Sequence, residues 1–242
     1  AVIALAIGGV LAWLVVRSDI PGRGWLKPAL TLSYVVPSFS LALAWETVFK
    51  NPSFGGNPGL MEAVFGIEPA AWVSNGALPI IITMTLHYFP FAFLLAAGAL
   101  VGLNAEVEEQ ATILGASKAT IIRRISLPLL APAMAAAFIL IFAKTMGTFA
   151  LPYLLGAPVQ YHTISSRIFA SMALGLDALA YILSIVLIVI TGVALYVSNR
   201  MVGKNEKRFQ TIGGKGFRGR QTPLGRWRWP VFSAVVLFAF IA

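Results

Sequence analysis

Residues 106–132 read EVEEQATILGASKATIIRRISLPLLAP, a polar stretch that lies between two long apolar segments. Its three glutamates come early, where negative side chains favour the positive end of a helix dipole. Gly115 suits a left-handed helix stop, and Ser117 can cap a second helix. That second helix merges through Leu127 and Pro128 into the next apolar segment. The stretch therefore predicts a short helix, a sharp turn and a second helix.

Both predicted helices are amphipathic. Asn104 can cap the first helix, and the apolar face of that helix comprises Val107, Ala111 and Leu114. In the second helix, Arg123 and Arg124 lie opposite an apolar face formed by Ile121, Ile122, Ile125 and Leu129. Periodicity alone also fits a loop lying on lipid headgroups.

The composition excludes a soluble protein. The 242 residues are 58% hydrophobic and 11% charged, with a mean hydropathy of +0.83. A soluble domain of this composition would expose a largely apolar surface. The chain has no cysteine, which excludes disulfides and thiol chemistry. We expect an all-α, polytopic transmembrane helix bundle.

Apolar runs of about 18 residues or more are long enough to cross the hydrocarbon core of a bilayer. The predicted spans are residues 1–16, 28–49, 79–103, 129–152 and 178–198, with a sixth beginning near 229. The first run is too short to cross alone and begins without Met, so we expect an interior fragment of a longer polypeptide.

Polar segments that are rich in lysine and arginine alternate along the chain with polar segments that are poor in them. Segments 17–27, 104–128 and 199–228 are rich in these bases, and segments 50–78 and 153–177 are poor in them. The positive-inside rule places the basic segments in the cytoplasm. We expect 50–78 to form an outer loop with a short helix and 153–177 to contain an interfacial or re-entrant helix. Because the basic residues cluster beside spans, we predict no nucleic-acid partner.

The polar stretch resembles the EAA motif of binding-protein-dependent ABC importer permeases with a MetI-like transmembrane domain. The motif positions are Glu109, Ala111, Gly115, Ile125, Leu127 and Pro128, and Gln110 replaces the usual alanine. The resemblance implies that these residues, together with Ala116, couple the permease to a cytoplasmic ABC ATPase dimer. It also implies a periplasmic or extracellular solute-binding protein and a second permease half, fused or separate, in the inner (cytoplasmic) membrane.

Within that family the chain looks most like the iron(III)-type two-half permeases. The turn RSDIPGRG and the basic stretch RFQTIGGKGFRGR carry this likeness. It implies a transmembrane domain at 1–198, a basic cytoplasmic linker at 199–228, and at 229–242 the start of a further transmembrane helix, which could belong to a second permease half. The implied solute is iron(III), although polyamines, thiamine, sulfate and phosphonates use similar permeases.

Ionisable residues inside spans are functional candidates. Lys144 is predicted near the middle of span 129–152 and, with Thr145, could line the substrate pathway and attract an anionic solute. The alternative is a lysine that pairs with another helix or extends to the interface. Glu46 is predicted to be an interfacial anchor, and His87 a packed core residue.

Two glycine patterns are not nucleotide sites. Gly214, Gly216 and Gly219 fit G-x-G-x-x-G without a preceding strand, and Gly214-Lys215 lacks the rest of a Walker motif. ATP hydrolysis is therefore expected on a separate subunit. We predict no catalytic residues, no metal site and no cofactor.

A secondary transporter driven by an ion gradient is the alternative function, but it would need acidic residues near midspan. An intramembrane enzyme would need paired catalytic residues.

Overall fold

The computed structural model describes residues 1–102, 105–209 and 222–242. The α-helices in these ranges are α1 (Val2–Arg17), α2 (Arg23–Leu32), α3 (Ser38–Phe49), α4 (Leu60–Phe65), α5 (Ala71–Ser74), α6 (Ala77–Gly102), α7 (Ala105–Ile113), α8 (Lys118–Ile121), α9 (Leu127–Gly147), α10 (Ala150–Gly156), α11 (Ile164–Ala173), α12 (Asp177–Phe209) and α13 (Arg228–Ile241). A π-helical segment, Ile122–Ser126, lies between α8 and α9. The described ranges contain no strand, which confirms the all-α prediction.

Three helical stretches of the described chain are long and apolar enough to cross a membrane. They are Ala71–Gly102, Ala119–Gly147 and Asp177–Ser198. Only 6% of the most apolar window in the last stretch is buried. An apolar helix with so few buried residues suits contact with lipid, because lipid tails solvate apolar side chains as a protein core does. This arrangement agrees with a multi-pass membrane protein.

The predicted span at 28–49 is not one continuous helix. Helix α2 ends at Leu32 and α3 begins at Ser38. Pro37 explains the break, because it has no N–H to donate and biases Val36 away from the helical conformation. The two helices therefore share one apolar run but are divided by residues 33–37.

The predicted span at 129–152 also ends earlier than expected. Helix α9 ends at Gly147, and α10 begins at Ala150. The Thr148 hydroxyl donates to the Lys144 carbonyl at 2.9 Å, so a side chain binds a carbonyl near the end of the helix. Lys144 consequently lies in the last turn of α9, and the midspan position expected for it is wrong.

Helix α12 runs on to Phe209, past the predicted end of its span at 198. The first part of the predicted linker 199–228 is therefore helical. The glycine pattern at Gly214, Gly216 and Gly219 lies outside the described residues, as does the predicted cap Asn104.

The chain divides into two compact units. The first comprises Ala1–Ser33, Phe89–Ile141 and Leu195–Ala242. In this unit Gly8 of α1 lies so close to α6 that an added Cβ would be 2.5 Å from the Ala92 Cβ. Phe89 and Phe93 of α6 are fully buried, and Phe89 contacts Phe238 of α13 edge to face at 5.0 Å. A glycine and three phenylalanines thus pack α1, α6 and α13 together.

The second unit comprises Tyr34–Tyr88 and Phe142–Ala194. Its core includes Leu151 and Leu155 of α10, both fully buried, and α10 packs on α3 and α11. The Leu155 carbonyl accepts from the Gly76 N–H at 2.7 Å. Helices α4 and α5 confirm short helices in segment 50–78, and α11 confirms the helix expected in 153–177. A capping box of Thr163 and Ser166 starts α11.

Candidate functional site

The turn between α7 and α8 has the geometry expected from the sequence. Gly115 has a φ of +84°, which confirms its left-handed conformation. The Ala116 N–H donates to the Ala111 carbonyl at 2.9 Å, and the Gly115 N–H donates to the Thr112 carbonyl at 3.0 Å. These two bonds define a Schellman motif, which satisfies carbonyls left over at the helix end. The backbones of Ala111, Gly115 and Ala116 thus belong to one hydrogen-bonded turn.

Ser117 caps the second helix as predicted. Its hydroxyl oxygen accepts from the Thr120 N–H at 3.3 Å. The helix passes through the π segment Ile122–Ser126, where the Leu127 N–H donates to the Ile122 carbonyl. The wider turn suits the sequence, because Pro128 cannot donate to a carbonyl four residues earlier. The second helix therefore merges into α9 at Leu127 and Pro128, as expected.

The Glu108 carboxylate connects three parts of the first unit. Its Oε2 lies 3.1 Å from Nη1 of Arg17, at the end of α1, and its Oε1 accepts from the Ser126 hydroxyl at 2.8 Å. The side chain of Arg17 is 6% exposed and that of Glu108 is 22% exposed. A buried arginine requires such a partner, because removing a charge from water is costly. Glu108 therefore fixes α7 to the end of α1 and the start of α9. We call Arg17, Glu108 and Ser126 the Glu108 cluster.

Sequence reasoning missed the Glu108 cluster. It singled out Glu109, whose side chain lies outside the described part of the chain, and treated Glu108 as one of several acids near a helix start. A signal was present: Arg17 directly follows an apolar run, where a charged side chain needs a partner. The partner itself could not be read from the spacing, since it lies 91 residues away.

Two large apolar side chains are exposed at the turn between α7 and α8. Ile113 is 84% exposed and Leu114 is 86% exposed, at the last residue of α7 and the one after it. The remaining motif positions differ in exposure: Ile125 is half-buried and Leu127 is mostly exposed. Adjacent exposed apolar side chains on a polar segment are typical of a protein interface.

Lys144 and Thr145 lie in the second unit, in the last turn of α9. Lys144 is exposed, and a cation there favours the negative end of the helix dipole. Its carbonyl accepts from Thr148, whose hydroxyl also bonds the Tyr88 hydroxyl. The His87 ring is buried between the neighbouring rings of Tyr34, at 5.2 Å, and Tyr88, at 4.7 Å, which confirms it as a packed core residue.

The second unit also has an open cleft at the end of α3. It has a volume of about 290 Å³ and combines charged, amide and apolar side chains. The lining residues are Leu43, Glu46, Thr47, Lys50, Asn57, Pro58, Gly59 and Leu60.

The helix–turn–helix with a Schellman turn stands between two apolar helices, in the order expected of an importer permease. The family of the binding-protein-dependent transport system inner membrane component matches residues 4–210. The chain belongs to this family. Members of this family are components of transport systems.

Several sugar permeases resemble this permease. The galactooligosaccharides transport system permease protein GanP of Bacillus subtilis is 32% identical over 153 residues, 62% of this chain and 36% of that protein. The maltose/maltodextrin transport system permease protein MalF of Escherichia coli strain K12 is 32% identical over 166 residues, covering 66% and 32%. This permease thus spans about a third of the length of these relatives. They do not support the iron(III) subtype predicted from the sequence.

Solved transporters share the fold. A bacterial ABC transporter involved in the import of the acidic polysaccharide alginate matches with a TM-score of 0.66 and 19% identity, over 84% of this permease and 72% of that chain. The MetNI methionine ABC transporter matches with a TM-score of 0.60 and 18% identity, over 84% and 88%. These likenesses confirm the predicted helix bundle of the type I ABC importer class.

Proposed function

We propose that this permease forms the translocation pathway of an ATP-driven importer and couples it to a separate cytoplasmic ATPase dimer through α7 and α8. The exposed pair Ile113 and Leu114, presented by the Gly115 turn, is the observation that carries this proposal. The Schellman motif holds the turn in one shape, so the apolar pair can insert into a groove at little conformational cost.

The Glu108 cluster gives the coupling a physical route. A push on α7 acts on Ser126 and Arg17 through one carboxylate, because both side chains bond to Glu108. A push on α8 acts directly on a transmembrane helix, since Ala119–Gly147 is a single helical stretch of 29 residues. Such a stretch is about 44 Å long at 1.5 Å per residue. A rigid lever of this length transmits displacement from the ATPase into the membrane.

We propose an oligosaccharide as the solute, in place of iron(III). The sugar-permease relatives support this choice, since their names give galactooligosaccharides and maltodextrin as their solutes. The exposed ammonium of Lys144 favours a second candidate, an oligosaccharide carrying carboxylate groups.

The other partners follow from the proposed function. A solute-binding protein would dock on the outer side, where we place the cleft beside Glu46 and Lys50. A second permease half, fused or separate, would complete the pathway, and the assembly would lie in the inner membrane with 104–128 in the cytoplasm.

A reconstituted transporter tests the proposal. The full permease, its ATPase and its binding protein would be placed in proteoliposomes, and ATP hydrolysis measured with each loaded solute. We expect neutral or acidic oligosaccharides to stimulate hydrolysis and ferric iron to leave it at the basal rate. Stimulation by ferric iron alone would overturn the solute assignment. Ion-gradient-driven uptake without ATP would instead favour the secondary-transporter alternative.

A further inference from the structure

A group of tryptophans and bases lies at one corner of the first unit, away from the Gly115 turn in sequence. It comprises Trp25 and Lys27 of α2, Arg226 just before α13, and Arg228 and Trp229 at the start of α13. We call these five residues the aromatic–basic surface. Trp25 is 49% exposed, Trp229 is 65% exposed, and the three bases are exposed.

Phe232 holds the two tryptophans together. Its ring centroid is 6.2 Å from that of Trp25 and 6.0 Å from that of Trp229, and both contacts are edge to face. Edge-to-face geometry is the favoured arrangement of aromatic pairs. Because Trp25 and Trp229 flank the same ring, the starts of α2 and α13 lie side by side.

Backbone contacts fix the segment that precedes α13. The Thr222 N–H donates to the Arg17 carbonyl at 2.7 Å, and the Leu224 N–H donates to the Asp19 carboxylate at 2.8 Å. The Arg226 guanidinium lies 5.8 Å from the centre of the Trp227 ring. The corner is thus held by long-range bonds, which orders the bases that it carries.

The net charge at this corner is positive. Asp19 is the one acidic residue in 18–33 and 222–242, and its carboxylate already accepts from Leu224. Among the described residues, Lys27, Arg226 and Arg228 make no ion pair. An exposed surface with three unpaired bases attracts a ligand of negative charge.

In both helices the residues change from charged to apolar close to the tryptophan. No charged residue occurs between Lys27 and Glu46, and none follows Arg228. Tryptophan concentrates where a helix enters the headgroup region, and bases just outside it attract anionic headgroups. The surface therefore combines the aromatic and the cationic features of a lipid interface on two adjoining helices.

We infer that the aromatic–basic surface binds the phosphate groups of anionic phospholipids in the cytoplasmic leaflet. Arg226, Arg228 and Lys27 contact the phosphates, and Trp25 and Trp229 insert at the level of the glycerol backbone. The bound lipid holds the start of α13 against α2, beside the turn that follows Arg17. This role is separate from solute transport and from the ATPase contact.

Tryptophan quenching by brominated lipids tests the inference. The full permease in phosphatidylcholine nanodiscs would be titrated with brominated phosphatidylglycerol. We expect saturable quenching that Trp25→Phe/Trp229→Phe reduces, and a half-saturation point that rises about tenfold in Arg226→Gln/Arg228→Gln. The charge-preserving variant Arg226→Lys/Arg228→Lys should stay near wild type, which also reports correct folding.

The matched control removes two exposed bases elsewhere in the same unit. Arg123→Gln/Arg124→Gln should leave the half-saturation point unchanged, and brominated phosphatidylcholine should give no saturable quenching. Equal losses in the two glutamine variants would overturn the inference, as would equal quenching by the two lipids. Competition by millimolar inorganic phosphate would assign the surface to a free anion. Loss of ATPase co-purification with unchanged lipid binding would assign it to a protein.

Discussion

Arg17 and Glu108 form an ion pair at 3.1 Å across 91 residues of sequence, and the arginine is almost completely buried. The carboxylate also accepts from Ser126, so one glutamate organises the base of the helix–turn–helix. This arrangement makes Glu108 a structural member of the α7–α8 segment, beside the motif residue Glu109.

Removing one partner of this pair should be costly, and removing both should cost less. Glu108→Ala leaves the Arg17 guanidinium buried without its carboxylate, and we expect about 2–3 kcal/mol of lost stability. Arg17→Met/Glu108→Met should lose less than the sum of the single variants Arg17→Met and Glu108→Met, because no charge remains buried. Thermal unfolding in detergent measures both. Additive losses would show that the two side chains do not interact.

The Gly115 turn should tolerate only residues that adopt a positive φ. No heavy atom lies within 4 Å of a Cβ built on Gly115, so the penalty is one of backbone conformation alone, about 1–2 kcal/mol for a bulky residue. We expect Gly115→Val to abolish uptake with normal membrane insertion. Gly115→Asn should retain part of the uptake, and Gly98→Ala, within helix α6, should retain all of it. Normal uptake by the valine variant would contradict the assigned turn.

Close packing at Gly8 predicts a sharp difference between two adjacent glycines. An added Cβ on Gly8 would meet the Phe89 carbonyl oxygen at 2.6 Å and the Phe93 nitrogen at 2.7 Å, both backbone atoms. An added Cβ on Gly9 would meet the flexible Met134 Cε at 2.9 Å. We therefore expect Gly8→Ala to lower the melting temperature and Gly9→Ala to change it little. The comparison of the two melting curves is the measurement, and equal curves would argue against this packing.

The absence of cysteine allows a direct test of orientation. Leu114→Cys should react with a membrane-impermeant thiol reagent only from the cytoplasmic side, and bound ATPase should protect it. Ser53→Cys should react only from outside, because its segment is poor in lysine and arginine. Reversed labelling would overturn the topology and the ATPase-docking role together. Unprotected labelling in the assembled complex would remove the docking role alone.

Lys144 should matter for uptake of charged solutes if it lines the pathway. Lys144→Met removes the charge at similar volume, and we expect uptake of an acidic oligosaccharide to fall at least tenfold, since charge interactions strengthen in a dehydrated passage. Uptake of a neutral oligosaccharide and solute affinity of the binding protein should not change. Arg167→Met, on α11, is the control for loss of a positive charge. Low abundance of the Lys144 variant in the membrane would instead indicate a structural role.

The amino-acid sequence by itself determined the class of protein and the local geometry of the turn between α7 and α8. Apolar run length decides membrane insertion, and the glycine and serine at 115 and 117 decide a turn and a cap, because these effects act within a few residues. The helix breaks at 33–37 and after Gly147 also have local causes, a proline and a threonine hydroxyl. Hydropathy is averaged over many residues, so it predicts one apolar run and does not reveal where a helix ends inside that run.

Only the tertiary structure decided which distant groups meet. The Arg17–Glu108 pair, the contact of Gly8 with α6 and the joining of Trp25 to Trp229 through Phe232 all link segments far apart in the chain. Periodicity assigns a residue to a helix face but does not say which helix that face meets, because many packings bury a similar apolar area. Burial then decides which charged side chains need a partner. The buried Arg17 guanidinium needs a carboxylate, whereas Arg226 and Arg228 stay exposed to solvent.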